Sequence, residues 1–296
     1  MRLDDLPETE NVDDRRGQGG SVGGIGGRGL AIGGGGLGTV VIVVILMLLG
    51  VDPSQLLSSD ATTAPQEQSQ SGAPAGPRAD DAAFTASRRV VGSTEEVWTA
   101  LFNQAGRQYR PAVFTPYTNG TQTGGCGAGQ TAMGPFYCPA DQRVYIDLAF
   151  FDELATRFGA PGQFAQAYVI AHEVGHHVQQ QLGISAAAEE AMQRSSQAGA
   201  NRISVRLELQ ADCYAGVWAN RANAQHRGMI EPGDVEQGMA AANAVGDDTL
   251  QRASRGQVSP DSFTHGSSAQ RMQWFRTGLD SGDPRRCDTF NNGQAF

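Results

Sequence analysis

The chain has 296 residues, a formal net charge of -9 and a pI near 5.0. That length allows one well-cored domain plus accessory segments. The acidic balance, with no basic run anywhere, argues against a nucleic-acid partner.

Residues 1–28 are acidic, then Gly-rich, with few large apolar side chains, and predict a disordered cytoplasmic tail. Residues 29–51 carry no charge and end in TVVIVVILMLLGV. As a helix, residues 30–51 would span roughly 33 Å at ~1.5 Å per residue, enough for the ~30 Å hydrocarbon layer. A single transmembrane helix is the favoured expectation, and a cleaved signal peptide competes with it. Arg15, Arg16 and Arg28 precede the run, and the next arginine is Arg78. The positive-inside rule then keeps the N-terminus in the cytoplasm and places everything after Val51 outside. Residues 52–87, rich in Ser, Gln, Ala, Pro and Asp, read as a flexible linker.

The folded domain is expected over residues 88–288, with a short tail at 289–296. In STEEVWTALFNQAG, Ser93 with Glu96 three later predicts a capped helix start. RVYIDLAFF, residues 143–151, alternates Val144, Ile146, Leu148 and Phe150 on one side and reads as a strand. Helices are predicted at 152–158, at 161–182 with Gly183 as the stop, at about 200–223 and at 231–245. A last one is opened by Ser267 with Gln270 and closed at Gly278. Of the four cysteines, Cys126 and Cys138 bracket a Gly-rich loop and Cys213 and Cys287 remain to pair. Four cysteines allow three connectivities, and free thiols are the alternative.

Three of the five histidines fall in VIAHEVGHHVQQ. His172 and His176 lie four apart, on one face of a predicted helix, so both imidazoles can reach one ion. Glu173 sits beside that face, free to act as general base on a water activated by zinc. A catalytic zinc keeps three protein ligands. The metzincin pattern fails, because Gln179 and Leu182 stand where its glycine and third histidine belong. Downstream, ELQAD places Glu208 and Asp212 four apart. The pair matches the gluzincin arrangement of a glutamate ligand followed by an aspartate that orients a ligand histidine. His226 and His265 are fallback third ligands. His177 points roughly 100° away from His176 and is excluded as a ligand. His265 and Arg271 are candidates for stabilising the oxyanion of a tetrahedral intermediate.

GPFYCPADQRVYIDLAFF, AHEVGHHVQQQLG, SVRLELQADCYAGVWAN and FTHGSSAQRMQWF together resemble the bacterial neutral zinc metallopeptidases, small membrane-anchored proteins with a gluzincin-like core. The resemblance runs from about Arg88 to Cys287. It implies an α+β fold, a mainly helical zincin-like catalytic domain with a small sheet, and one Zn2+ on His172, His176 and Glu208 with Glu173 as base. It also implies that the strand at 143–151 is the sheet edge to which an extended polypeptide adds. The expected activity is a membrane-tethered zinc endopeptidase. A non-catalytic zinc-containing scaffold and a zinc amidase acting on cell-wall peptides are the rival readings.

Overall fold

The structure, a computed structural model, describes residues 1–17, 80–131 and 134–291. Helix α1 (Asp81–Gln104) opens the domain, so the linker expected to reach residue 87 ends before it. Ser93 is not its cap but lies in its buried interior. The Ser93 hydroxyl donates to the Val90 carbonyl and accepts the Trp218 indole N–H at 3.0 Å. A fully buried indole needs such an acceptor, and that need overrides the local capping pattern.

Five short strands follow: β1 (Val113–Tyr117), β2 (Gly120–Gln122), β3 (Ala128–Gln130), β4 (Phe136–Cys138) and β5 (Arg143–Asp147). β2 and β3 form a separate two-stranded ribbon. The main sheet runs β1-β5-β4, with β1 parallel and β4 antiparallel to β5. β5 is therefore the central strand and not the edge; the edge facing the helices is β4. The strand reading over 143–151 also ran too far. Asp147 accepts the Ala149 N–H at 3.1 Å, and Phe150 already opens helix α2 (Phe150–Thr156).

Helix α3 (Gln163–Leu182) ends at Gly183, whose φ of 79° suits a left-handed cap that only glycine adopts freely. Helices α4 (Ile184–Gln193), α5 (Gln197–Gln225), α6 (Asp234–Ala244), α7 (Asp247–Arg255) and α8 (Ser268–Ser281) complete the chain. The Ser267/Gln270 capping box expected at the start of α8 is formed. Gly278, expected to end that helix, instead lies inside it. A side chain there would meet the Cys213 carbonyl at 1.9 Å, so glycine is what lets α8 lie against α5. Trp98, Phe164, Tyr168, Tyr214, Trp218 and Phe275 fill the core between α1, α3, α5 and α8.

The N-terminal residues are not a disordered tail as far as residue 17. Leu3 and Leu6 join the core, and Thr9 is buried. Residues 11–15 lie along the outer side of β1. Phe114 N–H donates to the Asn11 carbonyl at 2.8 Å, and Asp13 and Arg15 N–H donate to the Phe114 and Pro116 carbonyls at 2.9 Å. A composition too polar for a core of its own finds order by borrowing a sheet edge and the domain's core.

Both disulfides the sequence allowed are formed, Cys126–Cys138 and Cys213–Cys287. The architecture is mainly helical with small sheets, consistent with α+β. Among the described residues no helix is long and apolar enough to cross a membrane. The apolar run at 29–51, the rest of the expected tail and residues 52–79 of the linker lie outside the described residues, as do residues 292–296.

Candidate metal centre

Two helices bring the chemistry together. On α3, Tyr168, His172 and His176 recur every fourth residue and so share one face. On α5, Glu208 and Asp212 do the same. Gly175 lies between the ligand turns, where a Cβ would come within 3.1 Å of the Ala211 Cα, so the helices approach closely at this point.

His172, His176 and Glu208 each offer a donor atom, and these atoms lie within 4.8 Å of one another. The Glu208 carboxylate is 3.2 Å from His172 Nε2 and 3.5 Å from His176 Nε2. A tetrahedral zinc with bonds of ~2.0–2.2 Å separates its donors by roughly 3.3–3.6 Å, so two imidazoles and a carboxylate fit this ion. His226 is elsewhere, 2.8 Å from Glu96. His265 borders the same cleft, outside the donor triangle.

Each imidazole is aimed through its other nitrogen. His172 Nδ1 meets the Asp212 carboxylate at 2.9 Å, and His176 Nδ1 meets the Gln179 side-chain oxygen at 2.9 Å. Both contacts put the proton on Nδ1 and leave Nε2 for the centre. Gln179, noticed in the sequence only for breaking another pattern, is fully buried and anchored by donating to the Leu207 carbonyl at 2.7 Å. Asp212 is held harder still. Arg271 reaches it with Nε at 2.9 Å and a terminal nitrogen at 2.8 Å, and the Tyr168 hydroxyl donates to it at 2.5 Å.

Arg271 is thus a 4% exposed partner of Asp212, behind the ligand histidine. Its fork is committed to that carboxylate, and the residue also borders the cavity. His265 keeps the geometry for the oxyanion role. Its Nδ1 lies 3.2 Å from Asp247, leaving Nε2 for the cleft. Asp247 also accepts the backbone N–H groups of Thr264, His265 and Gly266 at 2.7, 2.6 and 3.0 Å. Nothing in the sequence marks Asp247, which approaches His265 only because the α7 start and the loop before α8 fold together.

Burial disfavours charge on all these groups, and specific neighbours overrule it. The Asp212 and Glu208 carboxylates raise His172 to about 9 against that penalty. Beside the His176 and His172 rings, Glu208 is held well below the usual carboxylate range. Arg271 and His172 keep Asp212 low in the same way. Glu173 differs: burial dominates and raises it, with the two histidines and the Tyr137 backbone pulling it back only in part. A carboxyl raised toward neutrality is suited to taking and returning a proton.

These groups open into a cavity of about 490 Å³. Its other walls are largely apolar, from Phe136 and Tyr137 on β4 to Phe150, Phe158, Val245 and Leu250, with Glu153, Arg157 and Thr249 among them. His177, excluded as a ligand on its direction, is indeed not one. It is fully buried and bonds the Tyr137 hydroxyl at 2.9 Å and the Arg110 carbonyl at 2.6 Å. It fastens the edge strand to the back of α3.

The chain matches the model of a family described as "Putative neutral zinc metallopeptidase" over residues 1–290. It is 49% identical over 293 residues to the uncharacterized protein YpfJ of Escherichia coli K12, covering 98% of this chain and 99% of that one. It is 42% identical over 268 residues to the uncharacterized protein Rv2575 of Mycobacterium tuberculosis H37Rv, covering 83% and 85%. No solved structure matches. The chain belongs to this zinc metallopeptidase family, and zinc is the cofactor that its donor set fits.

Proposed function

We propose that this family member is a zinc-dependent endopeptidase that cleaves extended polypeptide with Glu173 as general base and Glu208 as the third metal ligand. The observation that carries the reading is the position of Glu173. It lies in the open cavity, flanked by His172 and His176 and touched by the backbone of the edge strand. A zinc held only for structure has no use for such a carboxyl.

A bound zinc supplies a Lewis acid that polarises the scissile carbonyl and activates water. Glu173 takes the proton of the attacking water and returns it to the leaving amine. Among the described residues no strand pairs with the outer side of β4, so an extended substrate can lie along it as a further strand. His265, whose pKa Asp247 and Glu208 raise against the penalty of its burial, donates from Nε2 to the developing oxyanion. The apolar wall of Phe150, Phe158, Val245 and Leu250 receives a side chain beside the scissile bond. We place the domain outside the cytoplasm, attached through the apolar run at 29–51; two disulfides accord with an oxidising compartment.

The test uses the full-length protein in detergent with an unfolded protein and, in parallel, peptidoglycan stem peptides. Glu173→Gln is expected to keep one zinc per chain and to slow cleavage of the unfolded protein by ~10²–10⁴-fold. Activity on stem peptides alone would favour an amidase. Zinc retention with no Glu173-dependent cleavage of either substrate would favour the scaffold.

A further inference from the structure

We infer that residues 1–17 and the folded domain occupy the same side of any membrane the chain meets. The apolar run at 29–51 then does not separate them, and the expected cytoplasmic N-terminus is replaced by one that stays with the domain. The inference rests on packing and holds whether or not the protein is a peptidase.

Three independent features seat the N-terminal segment. The first is the backbone pairing with β1, which gives the sheet a fourth position and satisfies main-chain groups that would otherwise form an open edge. The second is a cradle in α1. Gly92 is an interior helical glycine, and a Cβ there would lie 2.2 Å from the Pro7 carbonyl oxygen. Glycine is a poor helix former, and close passage of residues 7–9 gives a physical reason for it. Around that crossing, Thr9 N–H donates to the Arg88 carbonyl at 3.1 Å and the Thr9 hydroxyl to Glu95 at 2.6 Å.

The third feature is a clasp at the point where the described chain breaks off and resumes. Arg16 is 5% exposed, and its guanidinium lies 3.7 Å from the centre of the Phe84 ring. The same group pairs with Asp14 at 2.8 Å, with Asp80 at 3.3 Å and with Asp81 at 3.4 Å. It therefore ties the residues before position 18 to those after position 79. A chain leaving and returning at one spot on one domain ends on the side where it began.

The same contacts weaken the charge argument for a cytoplasmic N-terminus. Arg15 bonds Asp13 at 2.9 Å, the Thr121 hydroxyl at 3.2 Å and the Gln122 carbonyl at 2.7 Å. Arg15 and Arg16, two of the three arginines counted just before the apolar run, are thus engaged within the fold. The family match also begins at residue 1, so the segment lies within the shared unit.

The experiment places single cysteines in the full chain at two exposed sites, Asp5→Cys and Arg202→Cys, with all four native cysteines in disulfides. Intact spheroplasts are treated with a membrane-impermeant maleimide, with detergent-lysed samples as the reference for full labelling. The two sites are expected to label to the same extent, within about twofold, whether both are reached or both are protected. Labelling of one site before lysis and of the other only after it overturns the inference.

Discussion

His172 and His177 are buried in one helix, five residues apart, and their surroundings drive them in opposite directions. His172 sits between two carboxylates from α5, which raise it to about 9 despite its burial. His177 bonds a tyrosine hydroxyl, a glutamine side chain and a carbonyl and packs against the Tyr109 and Tyr137 rings, and burial lowers it. Depth is shared, so depth does not set the role. The charge of the neighbours does: α3 carries a chemical face toward α5 and a structural face toward β4.

The widest separation of the two faces comes from Asp212→Asn. It leaves buried Arg271 without its carboxylate and His172 without a charged partner. Zinc affinity is expected to fall roughly 10–100-fold, and stability by about 3–5 kcal/mol, the usual cost of breaking a buried pair. Competition with a chelating dye and chemical denaturation read the two quantities. Unchanged zinc affinity would mean that Asp212 serves the fold alone.

Chelated, metal-free protein exposes the contrast as pH dependence. The His172 pKa is raised from 6.5 to about 9, so its contribution to stability is complete below about 6.5 and is lost as pH rises through about 9. A shift of that size corresponds to on the order of 3 kcal/mol. His177, lowered from 6.5, contributes above 6.5, and that contribution fades as pH falls toward its folded value. Denaturation midpoints across pH should therefore drop on both flanks. His172→Ala should shrink the alkaline drop to the part that His265, also raised, contributes, and should leave the acid one; an alkaline drop of undiminished size in that variant would break the comparison.

His177→Leu gives the smallest change. It strands the Tyr137 hydroxyl and leaves the Arg110 carbonyl to the Gln181 amide alone, and should cost about 1–3 kcal/mol. Zinc content should stay at one per chain, measured by atomic emission on the same samples. Loss of zinc would show that the structural face also shapes the metal centre.

The centre was legible in the sequence wherever a helix repeats every fourth residue. His172 with His176, and Glu208 with Asp212, are local patterns, and the structure adds only that α3 and α5 face each other. Asp247 was not legible, because its partner His265 lies in a loop that no local period links to it. The pairing of Arg271 was hidden for a related reason: the sequence shows a cation near the site and not the carboxylate that it bonds. Ser93 carried a true capping pattern, overruled by the Trp218 indole in a distant helix. β4, three residues long, has too short a period to read. The N-terminal residues look like a solvated tail because their order depends on contacts such as Asp13 with Arg143, at 2.6 Å, far along the chain.

The Arg16 clasp also dictates where the polypeptide tolerates cutting. A fragment starting after the apolar run would lose the segment bridged to β1 and the filling of the Gly92 groove, leaving a naked sheet edge of the kind that templates aggregation. Joining Gly17 to Asp80 through a short flexible link would remove the apolar run while keeping every contact described for the first 17 residues. The folded unit is therefore discontinuous in sequence, because the first residues bridge to the outer side of β1.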